Sequence, residues 1–452
     1  MSFLEIQHPA YGHGRILKQR NGGFEMLVQF ETAIRWVRRS EAVFLNPPPG
    51  SLPVQRPVTP RTRDEAFKAR QIVEALRFGI APMDAVERIT FGRDREIAGF
   101  RRWLDEEDGV LLLEGEYGVG KTHLLEHLSM LALRENFAVS RVSVDAAETT
   151  FDKPKQVYRS IIENLRYLSA TPERDLLGFR AFLTTALEAN RNDAWLAKHE
   201  YFDALRQNLD DEDVWVWIEG KGDIRPRTQN VDFYQGYFYD EDGSWVKYPP
   251  MYQVPLSANL YTWLLSSLGW LAREVLGLKG LLVFFDEAEA FPAASTMVRE
   301  ARAVNYVSAL LRVAQNDPAL LGRPRNSRLE YHAYTEHIPF SFARPSGLRL
   351  VFAFADLDVL SSRVPMTEHL PAIVIEALEA RALKIAIHDM CEMYRTAYGI
   401  DRRIEHDLIR RALNKVEDGS NTRRFVKACM EACDLWRSDP RLLVAELELV
   451  HD

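Results

Sequence analysis

At 452 residues the chain exceeds what one hydrophobic core organises, so two or three domains are expected. Apolar content of 46% with 27% charged residues is that of a soluble globular protein; no apolar run of about eighteen residues could span a bilayer, and the start, Met-Ser-Phe-Leu-Glu-Ile-Gln, lacks the features of an export signal, so a cytoplasmic protein with no membrane partner is expected. The net charge of −8 excludes a uniformly basic nucleic-acid binder, yet residues 1–63 hold nine Lys/Arg against four Asp/Glu, a local surplus of five positive charges of the kind that matters to a phosphate backbone.

Residues 1–50 read as a small all-β module. Asn21-Gly22-Gly23 is a hairpin turn signal between His8–Leu17 and the strand-like Glu25–Phe30, and Ile34–Val37 follows. The proline-rich stretch from Asn46 to Pro60 reads as a stiff, extended tether, with a linker at 51–63. From Asp64 the pattern turns helical, with apolar spacing of three and four through Arg77, and a second helix is expected to end near Leu104.

Gly115-Glu-Tyr-Gly-Val-Gly-Lys-Thr122 fits the phosphate-loop pattern at every fixed position. Its glycines let backbone amides curl round a polyphosphate, Lys121 reaches the β/γ-phosphates and the Thr122 hydroxyl sits on Mg²⁺. Val110–Glu114 upstream is a short apolar run expected to form a buried parallel strand, and His123–Leu128 downstream has helical spacing. The loop therefore opens a helix whose N-terminus faces the anion. Ala138–Val144 reads as a second parallel strand, and Pro154 as a helix start.

Leu281-Leu-Val-Phe-Phe-Asp286-Glu287 is an apolar strand ending in two acids. Beside a phosphate loop, Asp286 is expected to hold Mg²⁺ through water and Glu287 to polarise the attacking water. The wide gap from Thr122 implies an insertion, placed around 195–250, where aromatics mingle with mostly acidic residues; a small β-rich subdomain or protein-contact surface is expected there. A helix over Val298–Val313 and a buried strand over Leu348–Asp356 follow, and the chain is helical from about Glu376. Its last landmark, Asp418–Val426, opens a helix with Arg423 and Arg424 in the first turn. That placement opposes the helix dipole, which favours a cation aimed at an anion held elsewhere. Cys429 and Cys433 share a helix face and read as core packing, since further metal ligands are not near them in sequence.

The order of these features resembles an AAA+ ATPase of the Orc-like, initiator-type branch, and within it the ATP-binding proteins of BREX-type bacterial phage defence (BrxD-like). The resemblance rests on Arg70–Pro82, Phe91–Glu96, the phosphate loop, Gly277–Glu289 and the helical tail with Arg423, and spans about residues 64–437. It implies a P-loop α/β fold: a parallel-sheet core over 64–370 with its insertion, and a helical lid over 371–452. It implies that Gly92 and Arg93 lie near the adenine, that the loop residues Gly115, Tyr117, Gly118, Val119, Gly120, Lys121, Thr122 and the adjoining His123 bind nucleotide, and that Asp286 and Glu287 are the Walker B pair. Asp356 falls at the sensor-1 position, Arg423 at sensor 2, and Arg363 is the candidate arginine finger for a neighbouring subunit. Separately, His8–Ile16 resembles small SH3/Tudor-like modules, which implies docking to a protein partner or duplex DNA.

The expected function is thus an ATP-hydrolysing, oligomerising, DNA-associated switch in phage defence, acting with a helicase or methyltransferase. The alternative is a nucleotide-stabilised scaffold or transcriptional regulator with little turnover. A translocase is disfavoured, because the sequence has no second ATPase core and no recognisable helicase motifs.

Overall fold

The computed structural model describes residues 5–8, 11–20, 25–31, 33–38, 43–44, 63–80, 82–106, 109–145, 149–172, 174–189, 199–222, 237–239, 245–247, 251, 258–290, 297–322, 338–356, 361–400, 404, 409, 413 and 421–439. The expected turn at 21–23, the proline-rich tether and the Asp418–Ser420 turn lie outside them. Two compact units emerge: residues 1–77 with 384–412 and 429–452, and residues 78–383 with 413–428.

In the first unit, β1 (Glu5–His8), β2 (Gly12–Arg20), β3 (Glu25–Phe30), β4 (Ile34–Arg38) and β5 (Val43–Phe44) form an antiparallel sheet in the order β4-β3-β2-β1-β5. Period-two alternation drives it: Met26, Val28 and Phe30 of β3 point to the same core as Ile6, Ile16 and Val37. Pairing shifts between Ile16 and Lys18, so Leu17 becomes the extra residue of a bulge. Helix α1 (Arg63–Arg77) follows.

The second unit is built on a parallel sheet. Its elements in chain order are α2 (Asp94–Asp105), β6 (Val110–Glu114), α3 (Lys121–Arg134), β7 (Ala138–Ser143), α4 (Pro154–Glu163), β8 (Arg166–Leu168), β9 (Leu176–Gly178), α5 (Phe179–Ala189), α6 (Glu200–Gln207), α7 (Glu212–Ile218), β10 (Tyr237–Tyr239), β11 (Trp245–Lys247), α8 (Ala258–Trp270), β12 (Leu281–Asp286), α9 (Met297–Ala314), β13 (Leu348–Phe354) and β14 (Ala372–Val374). Helices α10 (Ala380–Tyr398) and α11 (Thr422–Ser438) follow.

Sheet order is β14-β6-β13-β12-β7-β8-β9, and the pairs from β14 to β7 are parallel. The central strands read as continuous apolar runs because both faces are covered. Leu111, Leu113, Leu282, Phe284, Val351 and Ala353 face a core completed by α2 and α3. Their alternates Leu112, Val283, Phe285, Leu350 and Phe352 face a larger core with α4, α8 and α9. The fold class is therefore the expected one: an α/β parallel-sheet core, helices, and a separate antiparallel β sheet at the N-terminus.

The insertion differs from expectation in its described part. Residues 199–222 are mostly helical, and β10 and β11 pair as a short antiparallel ribbon. Tyr201, Phe202 and Leu205 of α6, and Val214, Trp215, Trp217 and Ile218 of α7, are buried in the larger core. Their helical spacing, with Asp211 capping α7 through its side chain, selects helix over strand. These aromatics are core rather than contact surface. His199 caps α6, stacks at 3.9 Å on Phe202 and at 4.0 Å on Trp263, and bonds Ser267 at 2.9 Å. Burial lowers its pKa to about 3, so the ring is neutral at ordinary pH.

Gly347 enters β13 at φ 66°, and a Cβ there would lie 2.3 Å from the Gly269 carbonyl oxygen. Gly277 has nearly the same φ, 67°, with open space around it. Gly277→Ala should therefore lose about 1–2 kcal/mol for the left-handed backbone alone, whereas Gly347→Ala should lose more, because backbone must move as well. Chemical-denaturation midpoints of the two variants check this; equal losses would show that the close approach to Gly269 is unimportant.

Candidate nucleotide site

Residues 115–120 connect β6 to α3 as a loop whose turns need left-handed backbone: φ is 92° at Gly118 and 100° at Gly120, the residue preceding α3. Only glycine adopts these without strain. No side chain caps the start of α3 and its first turn holds no acid, so the leading amides and the helix dipole are available to an anion. Lys121 is only 8% exposed, and its ammonium donates to the carbonyl oxygens of Gly115 (2.7 Å) and Glu116 (3.1 Å). The Thr122 side chain is exposed, and Tyr117 is 81% exposed.

The back of the loop is tied down by residues far away in sequence. The Thr422 amide donates to the Gly118 carbonyl oxygen at 2.8 Å, and its hydroxyl donates to the Val119 carbonyl oxygen at 3.1 Å. Arg93 donates to the same Val119 oxygen at 2.5 Å, to the Glu376 carbonyl oxygen at 2.7 Å and to Glu96 at 2.9 Å. At 5% exposure this guanidinium is a buried cation with a carboxylate partner, and its fork geometry suits several acceptors at once. Gly92 has φ 63°, and a Cβ there would meet Ala382 Cβ at 2.5 Å. Arg93 thus braces the loop and Gly92 permits close packing. Val119, expected to bind nucleotide, keeps its side chain in the core beside α3.

Asn421 precedes α11 and accepts from the Arg424 amide at 2.9 Å, a helix N-cap. A Cβ on Gly118 would lie 3.0 Å from the Asn421 side chain, closer than a Cβ comfortably sits. Arg423 is exposed and its guanidinium has no partner among the described residues. Its stem passes Gly79, where a Cβ would lie 2.8 Å from Arg423 Cγ.

At the carboxyl edge of the sheet, β13 lies between β6 and β12; Phe354 is level with Glu114, and Ser143 of β7 with Asp286. Asp286 is 6% exposed and accepts from the Glu287 amide at 3.0 Å. Glu287 adopts φ 56°, a left-handed conformation that costs a non-glycine residue about 1–2 kcal/mol. That turn leaves its carboxylate exposed, where Ser143 Oγ donates to it at 3.3 Å. Arg141 pairs with Glu126 of α3; burial lowers its pKa, opposed by the nearby Asp286 carboxylate.

His123 Nε2 lies 2.9 Å and His127 Nδ1 3.1 Å from the Thr90 hydroxyl, which donates to the Val86 carbonyl oxygen at 2.7 Å. With its proton so placed, Thr90 accepts from the rings. Burial, then the charges of His127 and Arg93, lower the His123 pKa to about 4, so His123 offers no positive charge to a phosphate at neutral pH. Asp356 lies exposed just beyond β13. Arg363 donates to Glu300 of the same chain at 2.7 Å.

Sequence reading gave Ser143, Thr90 and Gly79 no place at the site, and Asn421 and Thr422 only that of a helix cap. The cap signal at Asn421 and Thr422 was local and legible. The seat of Thr422 on the loop and the register of Ser143 with Asp286 are non-local. The residues present suit a magnesium–nucleotide complex: an exposed hydroxyl at Thr122, a carboxylate at Asp286, open amides at the start of α3, and an unpartnered cation at Arg423.

Among the described residues, no helix is long and apolar enough to cross a membrane. No curated protein matches the chain. Among solved structures, the Walker-type ATPase of Pyrococcus abyssi is 13% identical, with 80% of this chain and 76% of that one covered at a TM-score of 0.38. The Drosophila ORC bound to DNA is 12% identical, with 90% and 71% covered at a TM-score of 0.36. Likenesses this distant identify no activity. Residues 65–178, which include the phosphate loop, match the family described as BREX system ATP-binding protein BrxC/D. Over residues 65–178, the segment that builds its phosphate loop, the chain thus resembles the BREX system ATP-binding proteins.

Proposed function

We propose that the chain binds ATP at residues 115–122, hydrolyses it, and uses the lid helix α11 to read the bound state as an oligomerising, DNA-associated switch in BREX-type phage defence. The observation carrying this reading is the sheet order, which brings the ends of β6 and β12 to one edge, so that the phosphate loop and the Asp286–Glu287 pair share it.

In this mechanism the Lys121 ammonium leaves the carbonyls of Gly115 and Glu116 for the β- and γ-phosphates, while the amides opening α3 bind phosphate oxygens. Thr122 and Asp286 would hold Mg²⁺, which when bound neutralises charge on the phosphates. Glu287, held by Ser143, orients the attacking water. Arg423 adds positive charge as negative charge shifts to the leaving oxygen. Thr422 bonds the loop directly, so any rearrangement of Gly118 and Val119 around nucleotide is felt by α11.

Arg363 would act as a finger towards a neighbouring subunit's nucleotide only after leaving Glu300, and Asp356 would report on phosphate at the sensor position. The SH3/Tudor-like reading of residues 1–50, with their cationic surplus, assigns recruitment of DNA or of a defence partner such as a helicase or methyltransferase to that module.

Glu287→Gln should lower kcat by at least about a hundredfold while ATP binding changes little, since it removes a role confined to the transition state; a wild-type rate in a phosphate-release assay would refute the catalytic assignment. Ser143→Ala, which deletes one hydrogen bond of about 1 kcal/mol, should slow turnover only about fivefold. Arg423→Ala should reduce kcat/KM by about 10²-fold, as loss of one preorganised charge donor does, and unchanged kinetics would remove α11 from the mechanism. Deleting residues 1–60 should weaken duplex-DNA binding and flatten its salt dependence by about 0.9 for each phosphate no longer neutralised; an identical salt slope would eliminate the module as the part that holds DNA.

A further inference from the structure

The chain has three cysteines, and all three meet. Cys391 on α10 comes together with Cys429 and Cys433, four apart on α11, so that the three sulfurs lie within 4.8 Å of one another. Cys391 Sγ is 3.8 Å from Cys433 Sγ, each of the three residues is 0% exposed, and none is in a disulfide. Sequence spacing alone offered Cys429 and Cys433 as core packing; the fold supplies a third ligand from 42 residues away in the case of Cys433.

We propose that Cys391, Cys429 and Cys433 form a trithiolate site for a closed-shell, thiophilic cation, Zn²⁺ or Cu⁺. Metal–sulfur bonds of about 2.3 Å place sulfurs around one ion roughly 3.8–4.0 Å apart, so the sulfurs lie already near the required spacing and sub-ångström movements complete it. Thiolate softness selects these ions over Mg²⁺, which keeps the site distinct in chemistry from the nucleotide site. Loading releases thiol protons. Because the thiols must lose their protons to bind the ion, affinity rises with pH. An ion bound there ties α10 to α11 in the first unit, beside the ion pair of Arg77 with Asp434 (2.6 Å) and the Tyr398–Glu74 hydrogen bond (2.8 Å) that fasten α1 to the same helices.

The test uses the full chain, reduced and freed of metal by chelation under anaerobic conditions. Zn²⁺ and Cu⁺ are added in separate arms, unbound ion is removed, and retained metal is counted by mass spectrometry. Cd²⁺ serves as a spectroscopic probe through its ultraviolet thiolate charge-transfer band. One ion per chain in at least one arm is expected, together with the Cd²⁺ band. Both should be lost in Cys391→Ala and Cys433→Ala variants that keep wild-type circular dichroism. A wild-type chain that retains neither ion and shows no band overturns the proposal and leaves the thiols as small apolar core groups. Undiminished retention in either folded variant overturns it too. Should a variant fail to fold, the wild-type stoichiometry and band still decide.

Discussion

One carbonyl oxygen, that of Val119, governs the geometry of the phosphate loop. It accepts both from Arg93 and from Thr422, so the segment around Arg93, the loop and the start of α11 converge on one peptide group. A glycine-rich loop with two of its glycines at positive φ has many conformations open to it. Two donors of different origin on one acceptor hold its back in place while the amides facing a phosphate stay free. Arg93 could not do this as a lone buried charge; Glu96 at 2.9 Å compensates it, and loss of that partner alone would leave an unpaired buried cation.

The sheet makes the second half of the site possible. A strand interposed between β6 and β12 separates the loop from Asp286 by two strand spacings, each about 4.8 Å. In the proposed site, phosphate and metal would lie across that gap. Burial on both faces fixes the register, because a one-residue slip would exchange Phe284 and Phe285 between two cores of different depth. The level of Asp286 with Ser143 follows from that register, so the contact that orients Glu287 depends indirectly on the packing of phenylalanines behind it.

What could be read from the sequence follows from how local each signal is. The phosphate loop, the strands β6, β7, β12 and β13 and the helices α3 and α4 announce themselves through neighbouring residues, and they stand where expected. Of the insertion's aromatics, Trp215 and Trp217 of α7 are in the core with Val214 and Ile218; residue type alone does not tell such a helix from a strand or a contact surface, whereas the combined spacing of the four does. Ser143 and Cys391 acquire meaning only when a partner more than forty residues away is brought alongside. Arg93 was expected near the adenine; its hydrogen bonds to the Val119 and Glu376 carbonyls join segments far apart in sequence and are not legible locally.

Two residues here contradict local preference, and both stand at the proposed catalytic edge. Glu287 occupies left-handed backbone that a glycine would take more easily, and Arg423 sits in the first turn of α11, where the dipole disfavours a cation. Neither is compensated within its own segment: the Glu287 carboxylate has one long hydrogen bond, and the Arg423 guanidinium has no partner among the described residues. Sequences that specify a fold are locally consistent nearly everywhere, and departures gather where chemistry requires them. In the proposed mechanism a bound triphosphate would supply the missing anion and so resolve the Arg423 conflict. Glu287 is different: its strain exists with or without nucleotide, as the cost of presenting a carboxylate outward from a fully buried strand. Substituting glycine there should therefore relieve backbone strain while removing the carboxylate proposed to orient water, separating stability from turnover in a single residue.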